Sequence, residues 1–260
     1  MRPRNWNDEH ERGPWTLETG TRGFTLLELV VVMAVIGILV AAVTPAVVQR
    51  IMDGRIEETR VEVQSLYDGM VGKPTESRFG FVGDIGRLPS SLQELAQRGS
   101  LPVYTTNTTR NVGMGWRGPY VNIGTSANDY LSDAFGHPYT ASSGQVRSAG
   151  PDGVSGNADD IVYPPAAPTI RGTVTVTVKT IAGGKTLVDP VGYRVELFYA
   201  NVGAEASLAD AAAPYSFSNV PMGVHAVRVV KTTNPNAGSI VAQDTIVVRP
   251  SSTTAAELWF

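Results

Sequence analysis

Residues Thr21 to Val48 read TRGFTLLELVVVMAVIGILVAAVTPAVV, and between Phe24 and Val48 the only ionisable side chain is Glu28. At about 1.5 Å of rise per residue, a helix over this run reaches roughly 37 Å, more than a hydrocarbon core of about 30 Å. Ahead of it lies a polar leader of mixed sign, with Arg2, Arg4, Asp8, Glu9, Glu11, Arg12, Glu18 and Arg22. The fold class follows from this run: a long N-terminal helix able to sit in a membrane, joined to whatever the rest of the chain builds.

The lone acid separates three readings. A secretory signal cut after Ala42 or Ala46 is one, but such signals have a compact cationic start and an apolar region of about 7–15 residues. A plain transmembrane anchor is the second, and it leaves Glu28 unexplained. A carboxylate at helix-centre depth costs about 2.5–3.5 kcal/mol, less near the interface, and is normally retained because it has a partner. The third reading supplies that partner. Cleavage after Gly23 makes Glu28 the fifth residue of a new chain, one helical turn from a free α-amine that is cationic at neutral pH. In lipid such a pair is far stronger than in water.

Through Gly23, Phe24, Thr25, Leu26, Glu28 and Pro45, the stretch resembles the processing and assembly signature of type IV pilins and type II secretion pseudopilins. The resemblance implies that a prepilin peptidase cuts after Gly23 and N-methylates Phe24. It implies that Glu28 pairs with a neighbouring subunit's amine as subunits leave the membrane. It also implies a single-pass protein of the bacterial inner membrane, with its leader in the cytoplasm and its head in the periplasm or outside the cell. Its partners would be the filament assembly machinery and a homo-polymer or mixed pilin filament. Charge alone does not orient the span, because Arg4, Arg12 and Arg22 on one side balance Arg50, Arg55 and Arg60 on the other. Pro45 cannot donate to the carbonyl of Ala41, and Gly37 weakens the same helix, so a kink or loosening is expected there. The resemblance suggests that Gly37–Pro45 extends in a fibre.

Beyond Pro45 an apolar stripe continues through Val48, Ile51, Met52, Ile56, Val63, Leu66, Tyr67 and Met70, interleaved with charge, until Gly72 and Pro74 end it. Four segments follow: a leader over 1–23, the helix over 24–74, a head over 75–165 and a C-terminal domain over 166–260. In the head, SSLQELAQR (Ser90–Arg98) predicts a short helix opened by a serine cap. GDIGRLPSSLQEL, WRGPYV (Trp116–Val121) and SDAFGHPYT (Ser132–Thr140) resemble the major pseudopilin. Ala134, Phe135 and His137 depart from that pattern, and His137 reads as a turn residue.

SAGPDGVSGNADDIV, Ser148–Val162, is the candidate binding loop. Hard cations take six to eight oxygens, and Asp152, Asn157, Asp159 and Asp160 are the candidate metal ligands. The spacing is not that of an EF-hand, and by spacing alone a solvated loop of Asx turns is the better reading. Ser148, Gly150, Asp152, Gly153, Asp160 and Ile161 nevertheless resemble the calcium loop of major pseudopilins. That resemblance implies a structural Ca²⁺ that orders the loop, which here is a few residues short.

YPPAAP (Tyr163–Pro168) reads as a linker. After it GTVTVTVKTI, YRVELFY, YSFSNV, VHAVRVV, SIVAQDTIVV and AAELWF alternate as short strands, predicting six or seven strands in a small antiparallel β-sandwich. PYSFSNVPMGVHAVRV (Pro214–Val229) resembles prealbumin-like domains such as the regulatory domain of carboxypeptidases. Its aromatics are expected to point inward, its Pro-x-Gly to make a hairpin, and His225 to be a satisfied, half-buried strand residue. The fold class is therefore α+β: a long pilin-like helix packed on a small antiparallel-sheet head, then a β-sandwich.

Composition narrows the function. A net charge of −3 with a pI near 5.7 leaves no basic footprint for nucleic acid. The chain has no cysteine, and its three histidines lie far apart outside any HExxH pattern. Neither a GxSxG elbow nor a phosphate-binding GxxxxGK[ST] loop occurs. The expectation is a non-enzymatic filament subunit. The alternative is a membrane-anchored surface or adhesion protein whose C-terminal sandwich recognises a glycan or protein.

Overall fold

The computed structural model describes residues 23–122 and 129–260. Of the leader expected over residues 1–23, residues 1–22 lie outside the described residues. Two compact units divide at Arg50 and Ile51, and the architecture is α+β, as expected.

The first unit is the N-terminal part of α1, a helix spanning Leu26–Val71. Every described residue through Arg50 is exposed. The helix passes through Pro45 without a break in its assignment. Pro45 still cannot donate a hydrogen bond, but the neighbouring Thr44 hydroxyl donates to the Val40 carbonyl at 2.6 Å. The expected loosening therefore does not interrupt the helix.

In the second unit, α1 buries Thr59, Val63, Leu66, Gly69, Met70 and Val71, a stripe at three- and four-residue spacing. The predicted stripe began earlier, yet Val48 and Ile51 are exposed and Met52, Ile56 and Tyr67 only half-buried. The helix ends where expected. Gly72 has φ +77°, and a Cβ there would crowd Gly80 N at 2.6 Å, so only glycine fits both the conformation and the space.

The α1 stripe packs on Phe79, on Phe81, Val82 and Ile85 of α2 (Gly80–Ile85), on Leu92 and Leu95, and on Tyr130 and Tyr139. The predicted Ser90–Arg98 helix is only a 3-10 turn, Leu92–Leu95, without a side-chain cap at Ser91. Glu94 instead holds the Arg87 guanidinium at 2.9 and 3.0 Å and accepts the Ser90 N–H at 2.9 Å. That carboxylate ties the turn back to the segment before it.

Small antiparallel sheets complete this region: β1 (Thr105–Asn107) with β2 (Val112–Met114), and β3 (Thr140–Ser142), β4 (Gln145–Ser148) and β5 (Ile161–Tyr163) in sequential order. The C-terminal region has eight strands: β6 (Arg171–Ala182), β7 (Lys185–Val188), β8 (Tyr193–Asn201), β9 (Ala204–Asp210), β10 (Tyr215–Pro221), β11 (Gly223–Lys231), β12 (Ile240–Val248) and β13 (Thr253–Trp259). One sheet runs β10-β6-β13 with β7 also on β6, and the other runs β12-β11-β8-β9. All pairs are antiparallel except β13 with β6. Val174, Val176 and Val178 of the first sheet share a core with Val195, Leu197, Val227 and Val229 of the second. Tyr215 and Phe217 join it, so the aromatics do point inward.

The Pro-x-Gly is not a hairpin. Pro221 ends β10 in the first sheet and Gly223 begins β11 in the second. Pro221-Met222-Gly223 is a crossover, because its middle residue is drawn elsewhere. Met222 is fully buried in the same cluster as Val63, Met70 and Phe81. A further cluster joins Val112 and Met114 to Phe198, Ala200 and Ala226. Two guanidinium groups approach the Phe198 ring, Arg110 at 3.9 Å and Arg228 at 4.6 Å from its centre. Arg110 also pairs with Glu205 at 2.6 Å.

Candidate processing site and acidic loop

At the start of α1, the Thr25 hydroxyl oxygen accepts the backbone N–H of Glu28 at 3.2 Å, and the Thr25 carbonyl accepts Leu29 N–H at 3.1 Å. Thr25 thus works as an N-cap, with Glu28 three positions on. Thr-x-x-Glu is the pattern of a capping box. A carboxylate in the first turn also meets the positive end of the helix dipole. Gly23 and Phe24 lie just outside the helix, and Phe24 is 81% exposed. The order is a non-helical Gly–Phe bond, a capped helix start, then the acid. A bond in extended, accessible backbone is open to a protease, whereas one inside the helix is not. Thr25 thus has a role beyond matching the family pattern, and the Thr-x-x-Glu spacing is the sequence signal for it.

In the acidic loop, Asp152 accepts hydrogen bonds from Val154 N–H and from the Asn157 side-chain amide, both at 2.8 Å. Asp159 lies near the Asp152 N–H at 3.5 Å, beyond good hydrogen-bond length. Asp160 stands apart from them in its bonding. One of its oxygens pairs with the Arg147 guanidinium and accepts Gly156 N–H at 2.7 Å. Its other oxygen, Oδ1, is buried without a partner. The structure therefore brings Asp152, Asn157 and Asp159 together and ties Asp160 to β4 through Arg147, a residue the sequence did not single out. The base of the loop is pinned to the preceding turn: the Ser148 hydroxyl donates to Asp133 at 2.5 Å, and His137 Nδ1 meets the Gly150 carbonyl at 2.9 Å. His137 is a turn residue, since its backbone N–H is held by Asp133 at 2.8 Å.

Among the described residues no three of His, Asp or Glu are gathered as a metal cluster. A cation here would draw on loop carbonyls as well as carboxylates, which suits a hard ion. The unpartnered Asp160 Oδ1 is the observation that fits one, because a buried carboxylate oxygen without a donor is costly.

His225 differs from its expectation. It is fully buried, its Nε2 donates to the Pro221 carbonyl at 2.6 Å, and its Nδ1 has no partner. Burial pushes its pKa down to about 4. It is a neutral core residue beneath the crossover.

With this geometry in hand, comparison with known families adds one match: residues 19–44 fit the prokaryotic N-terminal methylation motif. The chain thus carries a type IV pilin-like prepilin signal on a long apolar helix. That helix is long and apolar enough to cross a membrane, with a mean hydropathy of 2.9 over its most apolar window. Comparison with curated proteins returned no match.

Proposed function

We propose that the chain is a structural subunit, not an enzyme, of a type IV pilus-like or type II secretion pseudopilus filament. The observation that carries this reading is the Gly23–Phe24 bond placed directly before a Thr25-capped helix with Glu28 in its first turn, inside the matched motif. Cleavage after Gly23 by prepilin peptidase, with methylation of Phe24, leaves an amine for which Glu28 is the counter-charge. The apolar run to Val48 holds the precursor in the inner membrane in a single pass. The body stands on the periplasmic or extracellular side, and the same run later packs in the filament. The paired C-terminal sheets are a β-sandwich carried by the subunit.

The acidic loop is proposed as a Ca²⁺ site, with Asp160 and Asp152 as its carboxylates and Asn157 and Asp159 beside them. Asp160 Oδ1 supports this, and a bound cation would hold the loop against β4 and β5. The second reading, a membrane-anchored surface protein, shares the anchor and differs in what it does outside.

Mass spectrometry of membrane-extracted protein from cells with an active prepilin peptidase tests the first reading. A chain beginning at N-methylated Phe24 is expected. One beginning at Val43 or Val47, or still at Met1, would overturn it.

A further inference from the structure

Within the second unit, an open cleft of about 1000 Å³ lies between the last turns of α1, α2, the β1–β2 hairpin and the Trp116–Val121 segment. Arg117 stands in its wall, held at several points. Its backbone N–H donates to the Tyr120 hydroxyl at 3.0 Å, and its Nε–H donates to Asp84 Oδ2 at 3.2 Å. The Tyr120 hydroxyl in turn donates to the same Asp84 oxygen at 2.9 Å. The guanidinium lies 5.1 Å from the centre of the Tyr104 ring. Arg117 is thus fixed at its backbone, at Nε and on one face.

The far end of that side chain is left open. The Asp84 side chain is 10% exposed, whereas that of Arg117 is 61% exposed. Among the described residues, the two terminal nitrogens of Arg117 have no partner. A buried carboxylate therefore aims a guanidinium whose outer fork is unused. Because the side chain is already ordered, a ligand that bonds to the fork has little rotamer freedom to remove.

Charge decides what such a fork takes. The other cations of the cleft are matched, Lys73 by Asp68 at 3.9 Å and Arg78 by Glu76 at 2.8 Å. Arg117 and Asp84 cancel likewise, so no net charge is left to offset a phosphate dianion. A carboxylate brings a single charge and two oxygens at the spacing of two parallel N–H donors, which is what the fork offers. The shape of the cleft decides what bears the carboxylate. Small-ligand sites bury most of their ligand, and in this open cleft a free organic acid at Arg117 would stay largely in water. A chain segment would cover the cleft, with Ser65, Thr106 and Asn111 in its walls to meet backbone groups.

We propose that this cleft receives an acidic segment of a partner polypeptide, one Asp or Glu carboxylate bridging the two terminal nitrogens of Arg117, with Asp84 as the positioning residue. This goes beyond the filament role and stands or falls separately from it.

The test is saturation-transfer NMR on peptides mixed with the full-length chain in deuterated detergent micelles, a readout suited to weak binding. The peptide acetyl-Gly-Gly-Glu-Gly-Gly-amide should show transfer to its Glu methylenes, and its Gln counterpart should not. Arg117→Lys keeps the charge but loses the fork and the Nε anchor, and should raise the Kd about tenfold. Asp84→Asn separates positioning from attraction. It removes a competing negative charge, so simple attraction would tighten binding, whereas loss of the anchor should weaken it severalfold. Circular dichroism should give Arg117→Lys the parent's melting profile. If Asp84→Asn does not fold, Tyr104→Leu removes the ring beside the guanidinium and should weaken binding in its place. Equal transfer to the Glu and Gln peptides, an unchanged Kd in Arg117→Lys, or tighter binding by Asp84→Asn would overturn the proposal. So would glutarate binding as tightly as the Glu peptide, which would make this a small-acid site, or a preference for the phosphoserine peptide, which would make it a phosphate site.

Discussion

At Glu28 two kinds of stabilisation meet. Within one chain, its N–H is capped by Thr25 and its carboxylate sits in the first helical turn; between chains, the proposed filament makes it the counter-charge for an amine that exists only after cleavage. Substitutions should separate them. Glu28→Gln keeps a side chain able to complete the capping box but removes the charge. Both Glu28→Gln and Glu28→Ala should be processed to Phe24 and fail to enter filaments, read as sheared surface protein against membrane-retained protein. Normal incorporation of Glu28→Gln would leave capping as the only role. His225 makes a prediction in pH. Its folded pKa of about 4 lies below its ordinary value of 6.5, so the unfolded chain binds the proton more readily. The stability it permits is complete above about pH 6.5 and is lost as pH falls towards 4, on the order of 3 kcal/mol in all. Denaturant titrations of parent and His225→Gln at pH 7 and pH 4.5 should show a smaller fall in midpoint for the variant on acidification, at an unchanged slope. For the proposed Ca²⁺ loop, a chelator should lower the melting temperature of the parent and not of Asp160→Ala; an equal drop in both would remove Asp160 from that proposal.

At the scale of elements, the end of α1 shows how little freedom the chain had. Gly72 must adopt a left-handed conformation while Gly80 and Arg78 approach its Cα. Gly72→Ala adds a Cβ in both the wrong conformation and an occupied space, and should cost roughly 2 kcal/mol or more in unfolding free energy. The missing helix at Ser90–Arg98 is the opposite case. Its residues favour a helix locally, but the bidentate Arg87–Glu94 pair closes a tight turn and leaves room only for Leu92–Leu95. No sequence pattern announces such a pair, because Arg87 and Glu94 lie too far apart to meet across two helical turns.

For the whole molecule, residues far apart in sequence share cores. Met222 lies among Phe81, Val82 and Met70, and Phe198 and Ala226 lie with Val112 and Met114. The C-terminal sheets are therefore part of the folding unit that begins at Ile51. A fragment over 51–260 should unfold in a single transition seen by both circular dichroism and tryptophan fluorescence. Truncation at 165 would uncover these clusters and should yield protein that is protease-sensitive or insoluble. Met222→Ala should cost about 2–5 kcal/mol; a loss below 1 kcal/mol would mean that the crossover is not a plug.

Sequence determined the ends of this protein more fully than its middle. The apolar run, the Gly–Phe junction, Glu28 and the Thr–Val alternation of β6 are all local patterns. Burial of alternate residues on a strand, or of none along a membrane-length helix, needs no knowledge of what lies across from it. Tertiary structure alone decided that Pro221-Met222-Gly223 changes sheets, that Asp160 is claimed by Arg147, and that Trp259 is clamped by Lys179 and Glu257. Each of these depends on which strand became whose neighbour. That choice is made by the packing of side chains distant in sequence, and no window along the chain contains both partners.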